Sequence, residues 1–108
     1  MRLKSILLAS ICGALMASGT LQADEGDSVR GENLAWSCMG CHAVDSARNS
    51  YPSYRVPMLG GQNEKYLYQS LVAYRDGQRK HSTMQAQARS LSDQDLRDLA
   101  AFFAGKRD

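Results

Sequence analysis

Two cysteines and a histidine form the densest group of reactive side chains in the chain. Cys38, Cys41 and His42 stand in the order C-x-x-C-H. Two thiols about one helical turn apart can each add to a vinyl group on one edge of a porphyrin, and the adjacent imidazole can then ligate its iron. The pattern therefore predicts covalent attachment of one haem c, with thioethers at Cys38 and Cys41 and with His42 as the proximal iron ligand.

Two other kinds of site use the same residue types. Trp36, two residues before the first cysteine, is typical of a redox-active dithiol, but that site needs a βαβ context and none is visible. A structural zinc site needs four ligands. Beyond the N-terminal segment the chain offers only the two cysteines, His42 and His81, and adjacent ligands at 41 and 42 would strain a tetrahedral site. Haem attachment is the preferred interpretation.

Residues 1–23 have the pattern of a secretory signal. Positively charged residues precede a nearly unbroken apolar run from Ile6 to Met16, which is shorter than the roughly 20 residues of a membrane-spanning helix. We expect cleavage after Ala23, which would leave residues 24–108 as one domain exported to the periplasm. Retention of the segment as an uncleaved membrane anchor is the alternative.

The remaining segment is short and balanced in charge. The expected cleavage removes two of the chain's 13 basic residues and leaves equal numbers of basic and acidic side chains. A chain with no positive excess and no basic run is not expected to bind nucleic acid. Because about 85 residues can bury only a small core, a bound group is expected to supply part of the stability.

A helix is predicted from residue 27 to about Met39, and it places the C-x-x-C-H group at its end. Asp27 or Ser28 can cap it. Gly31 is unfavourable inside a helix unless another helix packs closely against it. Four residues are expected to make its apolar contacts: Val29, Leu34, Ala35 and Trp36.

Two more helices are predicted further along the chain. Asn63 can cap a helix that runs to Asp76 and stops at Gly77. Ser92 opens the last helix, with Asp95 three residues later in a variant of the capping box. The apolar faces comprise Tyr66, Leu67, Ser70, Leu71 and Tyr74 on the first of these helices and Leu96, Leu99, Ala100 and Phe103 on the last.

Residues 43–62 and 78–91 are predicted to be long loops. The first holds both prolines and the Gly60-Gly61 pair. Loops of this length are uncommon in a small domain unless they are functional, and wrapping a ligand would account for them. With no run of alternating residues typical of strands, the fold class is all-α.

In these features the chain resembles the class I c-type cytochromes, in particular the small single-haem bacterial type, over nearly all of residues 27–105. The resemblance rests on Gly31, C-M-G-C-H at 38–42, Pro57-Met58-Leu59-Gly60-Gly61-Gln62, Gly77-Gln78-Arg79 followed by Met84, and Leu91-Ser92-Asp93. Ala43 departs from the pattern, since such proteins usually have glycine there. The resemblance implies the cytochrome c fold, with three to five short helices and long loops wrapped around one covalently attached haem.

The resemblance also implies Met84, before the last helix, as the distal iron ligand. His81 is the rival, and an open or water-bound site is the remaining alternative. Met39 lies between the haem cysteines and cannot reach the opposite face, and Met58 belongs to the segment that passes the proximal side in the family. Ligation by histidine and methionine would raise the reduction potential and close the iron to other ligands.

Contacts around the haem are implied as well. The Pro57 carbonyl is expected to accept the free N–H of His42, and the first and last helices are expected to cross with Gly31 against Leu99 and Phe103. Three residues could reach haem propionates or line the pocket but are left out of the site, since tyrosines at helical spacing are more often packing: Tyr66, Tyr74 and Arg79.

The function implied is transfer of single electrons. We expect an exported monohaem carrier that is not an enzyme and that exchanges electrons with periplasmic or membrane reductases and oxidases at a small, transient interface. It would act as a monomer or as a subunit of a redox complex. The alternatives are a haem sensor or peroxidase-like protein with an open sixth site, and the electron-transfer subunit of a larger oxidoreductase.

Overall fold

The computed structural model describes residues 25–42 and 56–106. The predicted signal segment, its cleavage site, Ala43 and most of the first predicted loop lie outside these ranges. The described residues form four helices and no strand: α1 (Ser28–Met39), α2 (Glu64–Arg75), α3 (Ser82–Ala88) and α4 (Asp93–Gly105). The all-α prediction is confirmed. None of these four helices is long and apolar enough to cross a membrane.

The predicted helix starts are confirmed by their hydrogen bonds. The Asp27 carboxylate accepts the amide N–H groups of the next turn at 2.9 and 3.1 Å, so Asp27 and not Ser28 caps α1. Asn63 accepts an amide of α2 at 2.9 Å. Ser92 and Asp95 form a reciprocal capping box at 3.1 and 2.8 Å. Each cap satisfies donors that the first turn of a helix leaves unpaired.

Gly77 ends α2 as predicted. Its φ of 78° lies in the left-handed region, which glycine adopts without steric cost. The chain then folds back, and the Arg79 amide donates to the Ala73 carbonyl at 3.0 Å. The turn that leads towards α3 is thereby fixed against α2.

The predicted loop over 78–91 is wrong in its middle, because α3 occupies Ser82–Ala88. Methionine, glutamine and alanine in this segment are good helix formers. A single helix of seven residues is too short to show the apolar periodicity on which the prediction depended. Its cap is also unusual, since the side chain of His81 accepts the Met84 amide.

Helices α1 and α4 cross at Gly31, which confirms the predicted crossing. A Cβ at this position would overlap the Asp98 carbonyl and lie 2.9 Å from the Phe102 Cβ. The facing residues are therefore Asp98 and Phe102, and the expected pair Leu99 and Phe103 is wrong by one position. Leu99 and Phe103 instead belong to the buried cluster and line the cavity described below.

The core is built mainly from α4. Its predicted stripe is buried as expected, with Leu96 fully inaccessible. On α1 the prediction holds for Ala35, which is buried, and in part for Leu34. It is wrong for Val29 and Trp36, whose exposed fractions are 69% and 75%. A larger cluster joins α1, α2 and α4: Ala35, Leu67, Leu99, Ala100, Phe102 and Phe103.

A buried carboxylate ties the same two helices together. Asp98 is fully inaccessible and accepts the Asp27 amide and the Gln94 side-chain amide, each at 2.8 Å. It also pairs with Arg30, which reaches Asp95 at 2.5 Å. Burial opposes ionisation of Asp98, but these donors outweigh it and lower the pKa of the carboxyl below its ordinary value.

Candidate functional site

The C-x-x-C-H group forms one compact turn at the end of α1. The amides of Cys41 and His42 both donate to the Cys38 carbonyl, at 3.1 and 2.8 Å. Cys38 is half-buried, Cys41 is exposed and His42 is buried. The two thiols are not joined in a disulfide. The turn therefore brings two sulfur atoms and one imidazole to the same end of the helix.

Burial raises the pKa of the Cys38 thiol above its ordinary value, and a hydrogen bond with Ser37 opposes the rise only in part. The sulfur therefore stays protonated near neutral pH.

His42 is fixed by a hydrogen bond to the other side of the first loop. Its Nδ1 lies 2.8 Å from the Pro57 carbonyl oxygen, which can only accept, so Nδ1 carries the proton. The Nε2 lone pair is left to bind a metal. This contact, expected from the resemblance, is present, and such contacts orient a metal-ligating histidine and increase its basicity.

A cavity of about 560 Å³ opens beside this turn. It brings together all four predicted site residues: Cys38, Cys41, His42 and Met84. The rest of its wall is mainly apolar and includes Leu67, Leu71, Leu99, Ala100 and Phe103. A cavity of this size and character is typical of a site for an organic cofactor.

One face of α2 forms a wall of the cavity. It is the face predicted to be apolar, and all five of its residues line the cavity: Tyr66, Leu67, Ser70, Leu71 and Tyr74. Tyr66, Tyr74 and Arg79, which the sequence analysis leaves out of the site, also line the cavity. The spacing of Tyr66, Ser70 and Tyr74 could have indicated this arrangement. Residues four apart lie on the same face of a helix, so these three place a row of hydroxyl groups on one face of α2.

Two methionines reach the cavity, and their settings differ. Met84 lies on α3 and is partly buried, whereas Met58 has an exposed fraction of 61%. Met58 follows Pro57, whose carbonyl binds His42, so its backbone belongs to the histidine side of the cavity. Met39 does not line it.

His81 also lines the cavity, but one of its ring nitrogens is already used. The Met84 amide donates to the His81 Nδ1 at 3.3 Å. The imidazole edge packs against the Tyr74 ring, with the centroids 6.5 Å apart. His81 thus contacts the backbone of Met84 directly.

The donor set and the walls of the cavity fit a covalently held haem. Sulfur and imidazole nitrogen ligate haem iron, the thiol side chains meet at one end, and the apolar wall would cover a porphyrin. In residues 25–42 and 56–106 no group of three or more His, Cys, Asp or Glu side chains is assembled for a metal ion. The alternative zinc site therefore has no support in the described residues.

Comparison with known proteins agrees with this geometry. The family model of cytochrome c matches residues 28–105. Cytochrome c-554(548) of Halomonas halodenitrificans is 40% identical over 84 residues, which cover 75% of this chain and 98% of that protein. Cytochrome c4 of Pseudomonas aeruginosa is 39% identical over 101 residues, but this chain spans only 48% of its length. The cytochrome subunit of sulfide dehydrogenase of Chlorobaculum tepidum is 28% identical over 74 residues, which cover 68% of this chain and 64% of that subunit.

The chain belongs to the cytochrome c family. The four helices of the described residues form the cytochrome c fold, and the cofactor is haem c, bound covalently. Proteins of this family are carriers of electrons rather than enzymes, and the chain is a c-type cytochrome that acts in electron transfer between redox partners.

Proposed function

We propose that the protein is an exported carrier of single electrons with one haem, and that it transforms no substrate. Cys38 and Cys41 hold the haem through thioethers, His42 is the proximal iron ligand and Met84 is the distal one. Its partners are periplasmic or membrane reductases and oxidases. The protein works as a monomer or within a redox complex.

The observation that carries this proposal is the bond between His42 and Pro57. With Nδ1 at 2.8 Å from the carbonyl oxygen, the imidazole is held in the tautomer that leaves Nε2 for iron. The same ring lines the cavity together with Cys38, Cys41 and Met84. A histidine kept only for packing would need no such fixed tautomer beside two thiols.

The residues support fast electron transfer by keeping the site rigid. When bound, haem supplies an iron that alternates between the ferric and ferrous states. Leu67, Leu99 and Phe103 are buried and line the cavity, so they exclude water from the cofactor. His42 is held by Pro57 and Met84 lies on a helix, so both residues would hold the iron from fixed positions.

The proposed distal ligand also decides between carrier and ligand-binding protein. A sixth position filled by Met84 leaves no place for peroxide, oxygen or carbon monoxide. Met84 lies on α3 and lines the cavity, while Met58 lies next to the residue that binds His42. This arrangement favours the carrier over the haem sensor or peroxidase-like alternative.

Export rests on the sequence of the first 23 residues. The basic start, the short apolar run and the small residues before Asp24 together form a secretory pattern. We propose cleavage after Ala23 and a periplasmic protein of residues 24–108. N-terminal sequencing of the haem-stained protein from the periplasmic fraction tests this: a start at Asp24 supports it, and a retained Met1 in the membrane fraction contradicts it.

Absorption spectra of the Met84→Ala variant test the ligand assignment. In the oxidised wild type we expect a sulfur-to-iron charge-transfer band, and in Met84→Ala we expect that band to vanish and the ferrous protein to bind carbon monoxide readily. Met58→Ala is the matched control, since Met58 also lines the cavity. If Met58→Ala removes the band while Met84→Ala retains it, the distal ligand has been assigned to the wrong residue.

A second role is favoured by one relative. The subunit from Chlorobaculum tepidum is named as the cytochrome subunit of sulfide dehydrogenase, and this chain covers 64% of it. The protein would then pass electrons inside a larger oxidoreductase. Affinity purification under mild conditions distinguishes the two roles, because a dedicated subunit comes with a stoichiometric partner and a free carrier comes alone.

A further inference from the structure

We infer that His81 is a positioning residue for Met84: its ring nitrogen caps α3 at the Met84 amide and thereby holds that side chain in place towards the haem. The inference rests on the proposed role of Met84 as the distal ligand. In this role His81 supports the Met84 ligand and does not bind the iron itself.

A hydrogen bond joins the His81 side chain to the backbone of Met84. The Met84 N–H donates to His81 Nδ1 at 3.3 Å, and the Gln85 amide donates to the His81 carbonyl at 2.9 Å. These two bonds make His81 the N-cap of α3 by both side chain and backbone. Serine, threonine, aspartate and asparagine usually fill this position, so a histidine there is an unusual choice.

Helix α3 is short, so its capping matters. Isolated helices shorter than about 12 residues are marginal in water, and α3 has only 7 residues. The cap therefore contributes to keeping α3 helical, together with the packing of buried Ala88. The amide that His81 binds is that of Met84 itself, so the cap acts directly on the residue whose side chain faces the cavity.

His81 is itself in contact with α2. Its ring packs edge-on against Tyr74 of α2, and the Arg79 guanidinium lies over the same tyrosine, 4.8 Å from the ring centroid. The Arg79 amide is bonded to the Ala73 carbonyl at 3.0 Å. A continuous chain of contacts therefore runs from α2 through His81 to the backbone of Met84.

These contacts also explain why histidine occupies the position. Asparagine or serine can accept the amide but cannot reach Tyr74, and phenylalanine can pack on Tyr74 but cannot accept the amide. Imidazole does both. The cap needs only the accepting nitrogen. Replacements that retain or remove an acceptor therefore separate the hydrogen bond to the Met84 amide from the packing on Tyr74.

The test uses the haem-loaded protein and three variants of one residue. His81→Asn retains an acceptor, His81→Phe retains a ring and His81→Ala retains neither. The readout is the affinity of the ferric protein for imidazole, which has to displace the methionine, together with the sulfur-to-iron band. We expect imidazole to bind about fivefold more tightly to the Ala and Phe variants, the factor that corresponds to the roughly 1 kcal/mol of a lost N-cap, and the Asn variant to stay close to wild type.

Asn63→Ala provides the matched control. It removes a cap of the same kind, since the Asn63 side chain accepts the Tyr66 amide at 2.9 Å, but from the helix that carries no iron ligand. We expect it to reduce stability towards urea without changing the affinity for imidazole. If Asn63→Ala strengthens imidazole binding as much as His81→Ala does, the effect is one of general destabilisation and the inference is wrong.

Two results separate this inference from the proposed function. If Met84→Ala retains the sulfur-to-iron band, Met84 is not the ligand and the proposed function fails first. If Met84→Ala loses the band while His81→Phe and His81→Ala bind imidazole like wild type, only the positioning role fails. Equal effects of His81→Asn and His81→Phe would also overturn it, and this comparison needs no Ala variant.

Discussion

The α1–α4 crossing and the haem cavity are built on opposite principles. At the crossing the chain completes itself, since Gly31 lets two backbones touch and buried Asp98 receives donors from Asp27, Gln94 and Arg30. At the cavity the chain presents apolar walls that border about 560 Å³ of space, and several of their residues also belong to the buried cluster. From this difference we expect the crossing to be stabilised by protein contacts and the cavity region to depend on its cofactor.

Removal of the haem should have the largest effect on the difference between the two regions. A Cys38→Ser/Cys41→Ser double variant lacks both proposed attachment points, and we expect it to be colourless. Because the cavity walls then face water, amide hydrogen exchange should become fast throughout α2 and α3, while α1 and α4 keep the greater residual protection. Equal protection in all four helices would mean that the two regions are not distinct.

The next test acts on the crossing alone. We expect Gly31→Leu to destabilise the protein by about 3 kcal/mol, because the new side chain would overlap the Asp98 backbone. In a domain of this size that loss lowers the melting temperature by roughly 12 °C or more. The haem spectrum should remain unchanged, since Gly31 does not line the cavity.

Gly105→Leu is the control for that substitution. Nothing lies within 4 Å of a Cβ built at Gly105, so its melting temperature should remain close to wild type. An unchanged melting temperature for Gly31→Leu itself would count against a close crossing. A changed haem spectrum would show that the two regions are coupled.

A smaller effect is expected at the buried carboxylate. Asp98→Asn should cost about 2 kcal/mol at pH 7, because a buried hydrogen-bonded group loses its charge and its fit to several donors. The folded pKa of Asp98 is lowered, so its contribution to stability is complete above the unfolded value of about 3.9 and is lost as the pH falls through the folded pKa.

Urea unfolding at pH 7 and at pH 3 measures this dependence. The difference in stability between wild type and Asp98→Asn should shrink on acidification. Asp93→Asn serves as the control, because its ion pair with Arg75 lies on the surface and its side chain is 57% exposed. If Asp93→Asn costs as much as Asp98→Asn, burial is not what gives Asp98 its importance.

Much of the fold was predictable because it depends on local chemistry. Asp27, Asn63 and Ser92 cap helices through side chains that lie beside the amides they bind, and the stripe on α4 follows from spacing alone. Helix α3 was not predictable in this way. It has 7 residues and a histidine cap, so it lacks both the length and the usual first residue of a recognisable helix.

The candidate site was predictable where its residues form a local sequence motif. Cys38, Cys41 and His42 carry their own pattern, and the structure brings them to one cavity with Met84. The contacts of His81 were missed because one of them is with Tyr74 of another helix. The register of the crossing was missed by one residue for the same kind of reason, since local periodicity does not fix how α4 rotates against α1.

The double use of Asp95 has a consequence for how the domain resists proteases. Its carboxylate both closes the capping box with Ser92 and binds Arg30 of α1 at 2.5 Å. The first turn of α4 therefore cannot fray without also breaking an ion pair to α1. A protease that cuts at loosened helix ends would therefore have to wait at this end of α4 until both the capping box and the ion pair to α1 have opened.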